Sequence, residues 1–297
     1  MKLVRKALVA ACLAAAAGSV FADAQSTTTF GNLKITLIDL DPNDGIAAGI
    51  SFLPVPQKFA DGAFLSGSAV TWVTPDGWED LHAQHTQKTG AWGSSSVSTG
   101  VHTATASMSA SLTASADGHG FDALNVTGVA QATPGHLSSF RGEVRVPVYG
   151  ADLRYFTLSA NTQVVFSVDV SMGVSTGFTP VSGELRNEMA SAYASLEVAG
   201  LAADGYTQLF DLQEHEISVG YPGDAIPSGG SSSWSGVLSS SFSNLGSEET
   251  LGAFTTSALI EGQSLISAVP EPSTYAMLLG GLGLIGAAAR RRRNVAA

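Results

Sequence analysis

From Pro272 to Ala289 no residue is charged, and Arg290, Arg291, Arg292 and Arg293 follow at once. At about 1.5 Å per residue this stretch makes a helix of roughly 27 Å, enough to cross a bilayer core. Clustered arginine is held on the cytoplasmic side, so everything N-terminal to the span belongs outside. Pro270 and Pro272 flank Glu271 just before the span. Proline has no amide hydrogen and restricts the residue before it. The helix therefore stops short of Glu271, which stays extended and accessible.

Val269-Pro270-Glu271-Pro272, the apolar run and the arginine tail together resemble the PEP-CTERM sorting signal of Gram-negative bacteria. The resemblance implies that a membrane-embedded exosortase cuts near the motif and releases or transfers the body to the cell surface. The inner membrane then holds the chain only as a precursor. A plain single-span anchor explains the apolar run and the arginines but leaves the Pro-Glu-Pro unexplained.

The start of the chain fits the same route. Lys2, Arg5 and Lys6 precede an apolar run from Ala7 to Ala17, and Val20-Phe21-Ala22 carries small or modest residues where signal peptidase acts. Residues 1–22 read as a signal peptide cleaved after Ala22, with the Ala22-Asp23-Ala24 register as the alternative. Only Ala7 and Leu8 separate the basic residues from Val9-Ala10-Ala11-Cys12, too short a hydrophobic stretch for a lipoprotein signal. Cys12 is the single cysteine and leaves with the signal, so the mature chain has no disulfide.

Of 14 basic residues, three lie in the signal and four in the tail, leaving seven against 25 acids, a net charge of −18 for what lies between. Such a charge excludes nucleic acid as a partner and favours solubility or cation binding. About 240 residues remain for the body, residues 23–262, long enough for one large β-sandwich or two small ones. Residues 263–297 form the linker, motif, span and basic tail.

The body reads as mostly β, an antiparallel β-sandwich or jelly-roll-like fold between the N-terminal signal and the C-terminal transmembrane sorting helix. Alternation is clearest from Tyr155 to Ser175, where Val164, Phe166, Val168 and Val170 face one way, with a turn at Ser159-Ala160-Asn161-Thr162. Strands are also expected at 27–40, 46–53, 64–73, 121–130, 137–148, 209–218, 234–242 and 251–260. In the first of these, Phe30, Leu33, Ile35 and Leu37 give way, after a phase shift, to Ile38 and Leu40. The segment 184–198 fits helix or strand and is taken as strand. Residues 74–93 read as a polar loop, and 94–115 as a Ser/Thr/Ala tract. The stretches 35–46 and 158–167 also resemble recurring pieces of uncharacterised PEP-CTERM proteins, a likeness that carries no assigned activity.

Catalytic patterns are weak. Gly173-Val174-Ser175-Thr176-Gly177 has a nucleophile-elbow spelling, with Asp204 or Asp211 and then His215 in the hydrolase order, but Pro180 and Gly183 interrupt the helix such an elbow requires. His82 and His85, with Asp80, have metal-ligand spacing only if the segment is helical. Asp39, Asp41, Asn43 and Asp44 offer oxygen ligands to calcium, although Asp44 and Ile50 depart from the EF-hand loop and a hairpin turn explains the same residues. Trp72, Trp78 and Trp92 lie among acids and histidines, a mixture suited to sugar rings. Trp78 and Trp92, in the loop, are the candidate carbohydrate contacts. The expected protein is an exported, non-enzymatic surface or matrix component of exopolysaccharide or biofilm. The rivals are a secreted carbohydrate-active hydrolase and a calcium-dependent adhesin.

Overall fold

The computed structural model describes residues 22–52, 64–73, 82–89, 93–101, 104–116, 119–133, 135–146, 155–177, 186–220 and 230–266. The signal segment, the sorting motif with its span and arginines, and residues 74–81 and 90–92 lie outside these. The described chain is β throughout. Its strands are β1 (Ala22–Asp39), β2 (Ile50–Phe52), β3 (Phe64–Val73), β4 (His82–Thr89), β5 (Ser94–Val101), β6 (Ala104–Ala114) and β7 (Phe121–Ala132). There follow β8 (His136–Val146), β9 (Phe156–Leu158), β10 (Thr162–Thr176), β11 (Arg186–Leu201), β12 (Gln208–Val219), β13 (Gly230–Asn244) and β14 (Thr250–Ile266).

The strands form two antiparallel sheets. One has the order β13-β10-β1-β7-β6-β5, and the other β12-β11-β14-β8-β3-β4, with β9 on β14 and β2 on β9. The sheets stack strand over strand: β13 faces β12, β10 faces β11, β1 faces β14, β7 faces β8, β6 faces β3 and β5 faces β4. Side chains join them at both margins. Ser240 Oγ donates to the Asp211 carbonyl at 2.6 Å, and Lys88 Nζ donates to the Ser94 carbonyl at 3.3 Å.

The core follows from strict alternation. Along β10 every second residue from Val164 to Val174 is buried, because successive side chains of a strand point to opposite faces. Phe166 of one sheet stacks on Phe254 of the other with ring centroids 4.3 Å apart. Each buried ring contributes about 1.5–3 kcal/mol by its removal from water. Elsewhere a large side chain from one sheet needs a glycine in the other. A Cβ at Gly128 would lie 2.1 Å from the Phe140 ring, and one at Gly262, beside Phe140, 2.3 Å from it. Met108 fills the space over Gly67 and Gly142 in the same way.

Two expectations are corrected. The phase shift in β1 falls between Phe30 and Leu33, where a bulge lets Leu33, Ile35 and Leu37 take over the inner face. Ile38 and Leu40 are consequently exposed. The stretch expected to be a loop contains the edge strand β4, whose two faces are both largely solvated, so no alternation marks it. The segment read as helix or strand is β11, a central strand.

Candidate functional site

The Asp39–Asp44 group closes the end of β1 as a series of local turns. Asp39 Oδ1 accepts the Asp41 amide at 3.0 Å, Asp41 Oδ1 the Asn43 amide at 3.2 Å, and Asp44 Oδ1 the Ile46 amide at 2.7 Å. Asp44 Oδ2 also accepts Asn161 Nδ2 at 2.7 Å, and this bond, then the Ile46 amide, holds the Asp44 carboxyl below its ordinary value. Each carboxylate thus has an oxygen committed to local hydrogen bonding. Among the described residues, no three His, Cys, Asp or Glu converge as a metal site.

Ala22 is the first residue of β1 and pairs with Ala132. Val269, Pro270, Glu271, Pro272, the four arginines, Trp78 and Trp92 lie outside the described residues, as does the side chain of Trp72. His82 and His85 are on β4, three positions apart, so strand geometry sends them to opposite faces rather than to one helical turn. Ser175 sits on β10 in the outward phase, while the His215 ring stacks on Trp234 with centroids 4.1 Å apart.

The structure adds a site that residue spacing did not reveal. On the outer face of the eight-stranded sheet, a groove of about 450 Å³ runs over β8, β14, β11 and β12. Register lines up Arg145, Ser257, Ser195 and Glu214 in one row across these strands, and Glu143, Leu259, Tyr193 and Glu216 in the next. Thr255, Ser257 and Ser195 on the two middle strands make the floor, and Tyr193, Glu197 and Leu259 of the same strands stand around it with the arginines of β8. Arg145 Nε donates to Glu143 Oε1 at 2.8 Å, and Arg141 pairs with Glu261.

Opposite stands Tyr193, whose hydroxyl donates to Glu214 Oε2 at 2.7 Å. Partial burial, then the Glu214 bond and the charges of Glu214 and Glu197, raise the Tyr193 phenol above its ordinary value and keep it a neutral donor. The sequence signals are faint: Arg141, Glu143 and Arg145 at alternate positions, and Tyr193, Ser195 and Glu197 at alternate positions. Strand period places each trio on one face, but only pairing through β14 brings them together.

Fold and groove define an all-β sandwich with a polar, charged concavity on the outer face of its eight-stranded sheet. The PEP-CTERM protein-sorting motif matches residues 268–293, and the chain is thereby an exported protein carrying an exosortase sorting signal. No curated protein matches the chain.

Proposed function

We propose that the chain is a non-enzymatic surface or extracellular-matrix protein whose body contacts extracellular polysaccharide after an exosortase has processed the tail. The sorting motif at residues 268–293 is the observation that carries the reading. Signal peptidase removes residues 1–22, the span at 272–289 holds the precursor in the inner membrane, and cleavage near Glu271 frees the body. In this reading Trp78 and Trp92 offer flat aromatic faces to sugar C–H surfaces. The strongly acidic body stays soluble and does not adhere to anionic lipid once released.

The test compares cell fractions from strains with and without the exosortase gene, and from a strain carrying Pro270→Ala with Glu271→Ala. The expected result is a full-length precursor retained in the inner membrane in both altered strains, with the arginines still cytoplasmic. Release of a normal-length body from either would overturn sorting by exosortase. Co-sedimentation with the producing organism's own extracellular polymer tests the matrix role. Loss of binding in a folded Trp78→Ala, Trp92→Ala chain is the expected outcome, and equal binding removes those two residues from the contact.

A further inference from the structure

We propose that the groove on the outer face of the eight-stranded sheet binds a polymeric amino sugar bearing free ammonium groups, an assignment that rests on the matrix reading above. Its charge selects the ligand. Both groove arginines are already paired, Arg145 with Glu143 and Arg141 with Glu261. Glu197 lines the opposite side and Glu214, held by the Tyr193 hydroxyl, stands beside it; neither has a cationic partner within ion-pair distance among the described residues. The concavity therefore carries an uncompensated negative wall. It repels an anionic polymer and attracts an ammonium group, with the Tyr193 ring beside it for a cation–π contact.

The floor selects polyol over peptide. Ser257 and Ser195 stand at the centre, flanked by the planar Arg145–Glu143 pair, which presents donors and acceptors side by side. Vicinal ring hydroxyls match such a pair, and Leu259 and the Tyr193 ring cover sugar C–H surface. A peptide strand gains its affinity from an open sheet edge. Here β8, β14 and β11 are all interior strands, so their backbone groups are committed to the ladder. The groove volume, about 450 Å³, falls within the roughly 300–1,000 Å³ typical of small-ligand sites and accommodates a short run of a longer chain.

Titration calorimetry on the full-length chain in detergent tests this, with four probes at one ionic strength: a β-1,4-linked glucosamine hexamer, its fully N-acetylated counterpart, cellohexaose and hexalysine. The glucosamine hexamer is expected to bind at least about tenfold more tightly than each of the others. Glu197→Gln and the exposed Glu214→Gln should each weaken it about tenfold. Asp122→Asn, an equal loss of charge outside the groove, should leave binding unchanged. Comparable binding of hexalysine or cellohexaose, no binding of the hexamer, or indifference to both groove variants would overturn the assignment. An equal effect of Asp122→Asn would reduce it to general attraction between an acidic body and a polycation. Co-sedimentation with the organism's own polymer, run in parallel, separates the two levels. If it persists while the hexamer fails, this site falls and the matrix role stands; if both fail, both fall.

Discussion

Asn161 holds a left-handed backbone, φ 48°, at the turn between β9 and β10. Asparagine tolerates that region better than other residues with a Cβ, and here its side chain also donates to Asp44 at 2.7 Å. Its carbonyl accepts the Leu40 amide, so one residue ties the β1 turn to the β9–β10 turn. Asn161→Ala should lose about 1–2 kcal/mol to backbone strain alone. Asn161→Gly should lose less, because glycine is at ease at that φ; urea midpoints of the two variants make the comparison. Asp204 plays a similar part in the β11–β12 hairpin, where it accepts the Tyr206 and Thr207 amides and the Thr207 hydroxyl. Those bonds, the Thr207 hydroxyl first, lower its carboxyl from the ordinary value, as the Asn161 bond does for Asp44. A depressed folded-state value means that the stabilisation is complete above the unfolded carboxylate range, about 3.9, and is lost as pH falls through the folded value. The advantage of wild type over Asp204→Ala should therefore be constant near neutrality and shrink below about pH 4, as read from urea midpoints across pH.

Between the sheets, the Thr28 hydroxyl of β1 and the Thr256 hydroxyl of β14 are fully buried with no hydrogen-bond partner among the described residues. A buried polar group left unsatisfied costs about 1–3 kcal/mol. Thr28→Val and Thr256→Val keep the side-chain shape, so each should raise stability by about 1 kcal/mol, measured as a shift in thermal midpoint. How readily each element could be read from sequence follows from the same inner-face chemistry. β10 was legible because Val164, Phe166, Val168 and Val170 contrast sharply with their polar neighbours. β6 was obscure because its inner face is largely Ala104, Ala106 and Ala110, too small to stand out from serine. β4 lies at a sheet edge with both faces wet, which removes the contrast altogether. The β1 bulge turns on one extra residue near Gly31, which hydrophobicity alone placed several residues too late. The groove was illegible for another reason. Arg145, Ser257, Ser195 and Glu214 are far apart in the chain, and only strand register makes them neighbours.

At the scale of the molecule, the sandwich has a polarity that bears on export. β1 begins at Ala22 and β14 ends at Ile266; these two interior strands face each other across the core. Ser26 Oγ donates to the Glu261 carbonyl at 2.8 Å, which puts the start of β1 beside the end of β14. The chain therefore enters and leaves at the same end. The opposite end is built from the turns around Asp44, Asn161, Asp204 and Gly246, and it exposes Leu40, Ile46, Tyr206 and Leu245. A strand such as β10, 15 residues long, extends about 50 Å. If the span starts at Pro272, the few residues after Ile266 reach at most about 20 Å. The exosortase precursor should therefore stand on the membrane by its β1/β14 end, with Tyr206 outermost. Single cysteines at Gln131, which pairs with Asp23 near the entry point, and at Tyr206 can carry a fluorophore in a Cys12→Ala chain retained by Pro270→Ala with Glu271→Ala. A quencher attached to lipid headgroups should dim the label at position 131 several-fold more than the one at 206. Equal quenching at both, or the stronger effect at 206, would show a body lying flat or inverted and would overturn this orientation. In the released body carrying the same single cysteines with the sorting motif intact, added to vesicles of anionic lipid, both labels should be unaffected, because an acidic body does not settle on an anionic surface.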